Sequence, residues 1–246
     1  MGDLSVDVLD LFSPEKAVWS GEEIATHLAV SYARVAESLE PLLRKEMLEN
    51  VGGGYRLGAR LLDLARSARL THGFTSVALP VMRALAEQTN ETVLLGKRFG
   101  RSALCVEAVR SREAIRVPFD KGVVYPINTG AGTWVLMAWL PDAEVDEILD
   151  LTALEAFTSR TLTDRALIKD RLAEIRETGY ATSHGEMDLS LVGVSAPMHG
   201  PNGKVRGAVT VAGTADTIPR GRINDLAEQL AAAAGQIGGR LDMVQA

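Results

Sequence analysis

Residues able to do chemistry are few and scattered along this chain of 246 residues. The four histidines, His27, His72, His184 and His199, show no helical metal spacing, and one cysteine, Cys105, can build neither a thiolate cluster nor an internal disulfide. Ser183 and His184 are neighbours in an expected strand. Their side chains therefore point to opposite faces and cannot form a nucleophile–base pair by themselves. No G-x-S-x-G elbow, H-E-x-x-H, P-loop or G-x-G-x-x-G after a strand is present. The expectation is a protein with no metal, no cofactor and no catalytic site. One stretch does carry a chemical cue. NTGAGT, residues 128–133, is glycine-rich and precedes a helix. Free N–H groups and the helix dipole gather there and favour an anion. It lacks the lysine and spacing of a nucleotide loop, so a small carboxylate suits it better than a phosphate.

The composition is that of an ordinary globular protein, 24% charged and 46% hydrophobic, with aromatics at only 5%. Cores must then be built mostly of Leu, Val, Ile and Ala. No apolar run approaches the ~18–20 residues of a membrane span, and the N-terminus has no basic segment leading into an apolar one. No membrane partner is expected, and the single cysteine fits a reducing cytoplasm. Net charge is −6, with 8 Lys+Arg against 11 Asp+Glu in the first 75 residues. Any nucleic-acid contact must come from a local basic surface on an acidic body, and should be unusually salt-sensitive.

The elements that would position these groups begin with LSVDVLDLF (4–12), where Leu4, Val8, Leu11 and Phe12 share a helical stripe. Ser20 opens S-G-E-E, a capping box with Glu23, before a helix that buries Ile24 and Leu28. Ser31 is the expected N-cap of the next helix, with Val35, Leu39, Leu42 and Leu43 on its inner face. Pro41 should end or kink it, since proline lacks the N–H and disfavours helix in Glu40. Strands near 47–50 and 55–57 flank a Gly triplet suited to a tight hairpin. Three helices and a hairpin are the order of a winged helix-turn-helix; a small helical cap on a larger domain would show the same order. Residues 57–70 then form a strong helix flanked by Arg60, Arg66 and Arg69. It reads as a linker that could pack on a second subunit.

The remainder reads as α+β. A helix is expected over 76–89, with strands at 92–99, 102–109 and 114–118. Helices follow at 129–140, 142–150 and 163–178, then strands at 180–186, 192–199 and 204–213, the last two joined by HGPNGK. A final helix covers about 219–242. This pattern predicts one antiparallel sheet of about six strands with helices packed on it. The division is 1–57, a winged helix-turn-helix unit, 58–75, a linker helix, and 76–246, an α+β domain.

With these pieces in place the whole chain resembles the IclR-type transcriptional regulators. The resemblance is carried by EEIATHLAVSYARVAESLEPLLRKEML with GGGYRLGARLLDLA, LPVMRALAEQTNETVLLG, GYATSHGE, and VSAPMHGPNGKVRGAVTVAGT, in that order and spacing. It implies an N-terminal winged helix-turn-helix and a C-terminal GAF-like domain. Such proteins act as homodimers or homotetramers, bind a double-stranded DNA operator and a small-molecule effector, and control nearby genes.

Residue roles follow from the resemblance. The helix over 31–44 would lie in the major groove, presenting Ser31, Tyr32, Arg34 and Glu37. Arg34 could bond guanine O6 and N7 together, and Glu37 could accept from cytosine N4. Ser20 at the capped helix and Arg56 on the wing would contact phosphate. The family's arginine near the start of helix one is replaced by Leu4 and Ser5. The effector pocket would be lined by Ala114, Val117, Tyr125, Ala131, Gly132, Ser183, Leu191, Gly193, Thr210 and Ala212. Asn128 stands where the family often has histidine, and Thr133-Trp134 stand for a Gly-Lys pair. Gly193 replaces cysteine, Ser183 an acidic residue and Ala212 serine. A less polar pocket follows, with Trp134 and Tyr125 nearby. The expected effector is a small acid or amino-acid-derived metabolite with an apolar part, its carboxylate on the 129–133 backbone, and the expected output is repression of nearby metabolic genes. Two rivals stand beside this reading: an enzyme on the GAF-like domain, and a regulator that has lost DNA binding and acts through protein contacts. The acidic reading helix is the support for the last, and implies that two half-sites bound together must raise a weak affinity.

Overall fold

The computed structural model describes residues 4–71, 73–110 and 119–245. The chain forms two compact units, Met1–His72 and Gly73–Ala246.

The first unit opens with helices α1 (Leu4–Leu9), α2 (Gly21–His27) and α3 (Tyr32–Arg44). Each is amphipathic, and Val8, Ile24, Val35, Leu39 and Leu42 meet Trp19 and Leu48 in one core, with Leu28 and Leu43 partly buried at its margin. Helix α1 stops at Leu9, short of the expected Phe12, and Leu11 and Phe12 pack from the loop beyond it. The capping box is formed: Glu23 N–H donates to Ser20 Oγ at 3.2 Å and Ser20 N–H to Glu23 Oε2 at 2.8 Å. That second bond and Lys16 hold the pKa of the Glu23 carboxyl down to about 2. Ser31 occupies the N-cap of α3, but its hydroxyl makes no capping bond.

Of the two outcomes expected at Pro41, an end or a kink, the end does not occur: the helix runs on to Arg44, and Lys45 N–H still reaches the Pro41 carbonyl. Burial of Leu39 and Leu42 on either side of Pro41 outweighs the one backbone bond proline removes. Strands β1 (Leu48–Val51) and β2 (Gly54–Leu57) follow, paired Leu48↔Leu57 through Val51↔Gly54. Gly52 and Gly53 turn the hairpin at φ 52° and 91°, the left-handed conformation such a two-residue turn requires. Trp19 adds a third rung by exchanging backbone bonds with Tyr55. A tight passage at Gly58, where a Cβ would collide with the Glu46 carbonyl oxygen, leads into α4 (Arg60–Thr71). Within this single chain α4 is exposed along most of its described length, with Leu62 at 75%.

The second unit begins with α5 (Phe74–Thr89). Strands β3 (Thr92–Phe99), β4 (Ser102–Val109) and β5 (Val124–Pro126) follow, then α6 (Ala131–Ala138), α7 (Asp142–Leu151) and α8 (Arg165–Thr178). The chain returns through β6 (Ala181–His184), β7 (Leu191–His199) and β8 (Val205–Thr214), and a 3-10 turn (Arg220–Arg222) leads into α9 (Ile223–Gln245). The six strands form one antiparallel sheet in the order β5-β4-β3-β8-β7-β6. The expected strand at 114–118 lies outside the described residues. Strand β5 has no counterpart among the expected strands, because its three residues are too few to show alternation.

Strand alternation sorts the sheet into two faces. Val93, Leu95, Val194, Val209 and Val211 point into a core with α5 and α9, where Met82, Leu85, Leu230 and Ile237 are buried. Leu94, Cys105 and Ala212 point the other way and form a separate apolar cluster. Helix α6 packs on this second face with α8 behind it, burying Trp134, Met137, Ile168 and Leu172. It starts at Ala131 rather than 129 because Gly130, at φ 85° and ψ 147°, is not helical.

Candidate functional site

Between the start of α6 and the second face of the sheet lies an open-mouthed cavity lined mostly by apolar side chains. Register places its floor. Ser183, Gly193 and Ala212 stand side by side across β6, β7 and β8, and Thr210, two residues before Ala212 on the same face, stands opposite Leu94. The floor is close-fitting: a Cβ on Gly193 would lie 2.8 Å from Ser183 Oγ, and one on Gly132 would lie 2.9 Å from Thr210 Oγ1. Phe119 and Tyr125 form a wall, their rings edge to face at 5.4 Å. Arg110 pins this wall by donating to the Phe119 carbonyl and to Asp120. Burial pushes the pKa of the Tyr125 hydroxyl up to about 12 and, with the Glu107 carboxylate, that of the Cys105 thiol up to about 11. Both lining groups are therefore neutral at physiological pH.

Of the residues nominated for an effector, Tyr125, Ala131, Gly132 and Ser183 line this cavity, as do Leu191, Gly193, Thr210 and Ala212. Ala114 and Val117 lie outside the described residues. Asn128 is elsewhere: it is fully buried, and its amide donates to the carbonyls of Glu155 and Leu162, tying down the loop before α8. Trp134 is also fully buried and reaches the cavity only through a partner.

That partner is Glu186, which sequence reasoning does not nominate. It lies in the turn after β6, is 9% exposed and lines the cavity. Its Oε2 accepts from Trp134 Nε1 at 2.7 Å and from the Gly130 backbone N–H at 2.8 Å. Thr158 and Thr161 hold the turn by donating to the Gly185 and Glu186 carbonyls. Burial pushes the Glu186 carboxyl above its ordinary range, and the bonds from Trp134 and Gly130 oppose that rise. The anion position at the start of α6 is thus already taken in part by a protein carboxylate. The expected seat for a ligand carboxylate shrinks to the N–H groups of Ala131 and Gly132. Leu94, Phe119 and Met187 also line the cavity unforeseen, and Cys105 serves both packing and lining.

In the first unit, α3 presents Ser31, Tyr32, Arg34 and Glu37 to solvent, while Val35 and Leu39 face the core. Tyr32 has a second role. Its ring lies on Gly21 of α2, where a Cβ would be 2.8 Å from Tyr32 Cε2. Ser20 is engaged in the capping box. Arg56 is ion-paired to Glu49 across the hairpin at 2.5 Å, so the wing's guanidinium is already partnered. Among the described residues no cluster of three or more His, Cys, Asp or Glu could hold a metal ion, and no helix is long and apolar enough to cross a membrane.

Residues 70–238 match the family described as bacterial transcriptional regulator IclR C-terminal. Among characterised proteins, the chain is 25% identical to the regulator KipR of Bacillus subtilis over 86% of this chain and 84% of that one. It is 32% identical to TtgV of Pseudomonas putida over 66% and 62%. The acetate operon repressor of Salmonella typhimurium is 22% identical over 87% and 80%. An IclR-type protein of Silicibacter sp. superposes with a TM-score of 0.89 at 25% identity, covering 98% of this chain and 96% of that one. An IclR homologue of Microbacterium hydrocarbonoxydans, solved with 4-hydroxybenzoate, has the same fold, at 21% identity, 98% coverage of both chains and a TM-score of 0.78. Matched over more than half its length by the family's C-terminal domain, and flanked by a helix-turn-helix and hairpin, this chain belongs to the IclR family of bacterial transcriptional regulators.

Proposed function

We propose that the protein is a ligand-responsive regulator that reads an operator with α3, represses nearby metabolic genes, and takes a small acid or amino-acid-derived metabolite with an apolar part as its effector. The reading divides the chain into a reader domain (1–57), a linker helix (58–75) and an effector domain (76–246). The observation that carries it is α3 itself: one face is locked into the core by Val35, Leu39 and Leu42, which fixes Arg34 and Tyr32 on the outer face of the first turns. Arg34 makes no ion pair among the described residues, so its guanidinium is available to a base edge. The cavity of the second unit supplies the effector site, and the Microbacterium relative's 4-hydroxybenzoate supports a compact ligand with a ring. Exposed Leu62 and Leu64 on α4 support association of the linker helix with a second copy, as homodimer or homotetramer.

Binding of the purified protein to the DNA upstream of its own gene, at two salt concentrations and beside Arg34→Ala, tests the reading. The expected result is salt-sensitive binding that weakens about ten- to hundredfold in the variant. A second reading, a regulator acting through protein contacts alone, is favoured by the acidic surface and by the pairing of Arg44 with Glu40 and of Arg56 with Glu49. No binding at low salt by a folded protein decides for it.

A further inference from the structure

Glu186 is the one charged side chain lining the cavity among the described residues. Its two hydrogen-bond donors are neutral, and both fall on Oε2. Among the described residues, Oε1 has no hydrogen-bond partner, and no ion pair neutralises the group. A buried carboxylate with neutral partners is costly unless a cation or further donors complete it. Two of the neighbouring hydroxyls, Thr133 and Thr210, add acceptors, because their own protons are spent inside the protein, whereas Ser183 and Tyr125 keep theirs to donate. Thr210 donates to Ser195 Oγ, which itself donates to the Val209 carbonyl, and Thr133 donates to the Gly130 carbonyl. A ligand carboxylate placed here would sit beside a like charge in a poorly solvated space. An ammonium group would meet an opposite one.

We propose that Glu186 anchors the effector, and that the effector is a small amine whose ammonium group bonds the Glu186 carboxylate while its apolar body lies against Phe119, Leu94 and Ala212. This rests on the reading of the cavity as the effector site, and selects the amino-acid-derived branch of that reading over the acid branch. Among the described residues, nearby charge does not reverse the argument. Arg171 on α8 acts on Glu186 only through space, and its guanidinium is engaged by Thr182 and Glu174.

The test uses three probes with one ring: 4-hydroxybenzylamine, 4-hydroxybenzyl alcohol and 4-hydroxybenzoate. Each is titrated calorimetrically into the full-length protein, into Glu186→Gln and into Ala212→Leu, with circular dichroism confirming that both variants fold. The amine should bind most tightly to the native protein and lose about thirtyfold or more in Glu186→Gln. All binding should vanish in Ala212→Leu, whose larger side chain fills the cavity. The proposal is overturned if the acid binds as tightly as the amine, if the amine does not bind, or if Glu186→Gln leaves amine affinity unchanged. Binding that survives Ala212→Leu overturns the cavity as effector site as well. Binding lost in Ala212→Leu but led by the acid overturns only the choice of an amine.

Discussion

The indole of Trp134 and the carboxylate of Glu186, 52 positions apart, share a hydrogen bond of 2.7 Å, and the Gly130 N–H closes on the same oxygen. A buried tryptophan thus fixes where the acidic group of the cavity stands. The pair has a pH signature. Burial raises the folded pKa of Glu186 above its unfolded value near 4.5, so ionisation opposes folding. The native protein should lose this share of stability as pH rises from about 4.5 through the folded pKa, with no further change above it. Glu186→Gln does not ionise. Its melting temperature relative to the native protein should therefore climb across that window and then level off. A difference that falls with rising pH would contradict the raised pKa.

The wing offers a separate test. Arg56 must give up Glu49 before it can hold a phosphate. Glu49→Gln should strengthen operator binding and steepen the dependence of log K on log salt by about 0.9, the contribution of one added phosphate contact. An unchanged slope places Arg56 away from the DNA.

The proposed linker-helix association can be challenged at Leu62, the most exposed leucine among the described residues. Leu62→Glu should shift the sedimentation profile toward smaller species at micromolar concentration, with the far-ultraviolet spectrum preserved. A profile identical to the native one moves the subunit contact elsewhere.

Gly58 tests the first unit alone. Because a Cβ there would strike the Glu46 carbonyl, Gly58→Ala should destabilise the reader unit by about 1–3 kcal/mol. Operator binding should weaken at elevated temperature while calorimetric titration of the effector cavity is unaltered. A native melting profile would show that the hairpin shifts to make room.

Much of this architecture can be read from residue order, because it rests on local signals. The Ser20–Glu23 box, the glycine turn at 52–53, and the alternation in TVLLGKRF, SALCVEAV and AVTVAG each dictate an element without help from afar. Pro41 sets no helix end because its local cost is overridden by two buried leucines. The cavity is legible only in part. Ser183, Gly193, Thr210 and Ala212 share a face by strand period, and the family resemblance supplies the positions. Glu186 carries no such signal: it falls at the end of the strand expected over 180–186, which stops at His184, and only the folded chain brings it to Trp134 and Gly130. Sequence spacing has no means of announcing a contact made across 52 residues by a turn closing on a helix end.

The pairing of Arg56 with Glu49 also bears on how the protein is distributed on a chromosome. Random sequence far outnumbers the operator and competes mainly through phosphate charge. A wing whose cation is already neutralised offers little to that competitor, since each wrong encounter must first break an internal ion pair. Only a site that also satisfies the reading helix repays the exchange. On the proposed reading, the acidic balance of the reader lowers this nonspecific competition and leaves a larger free pool of regulator for the operator.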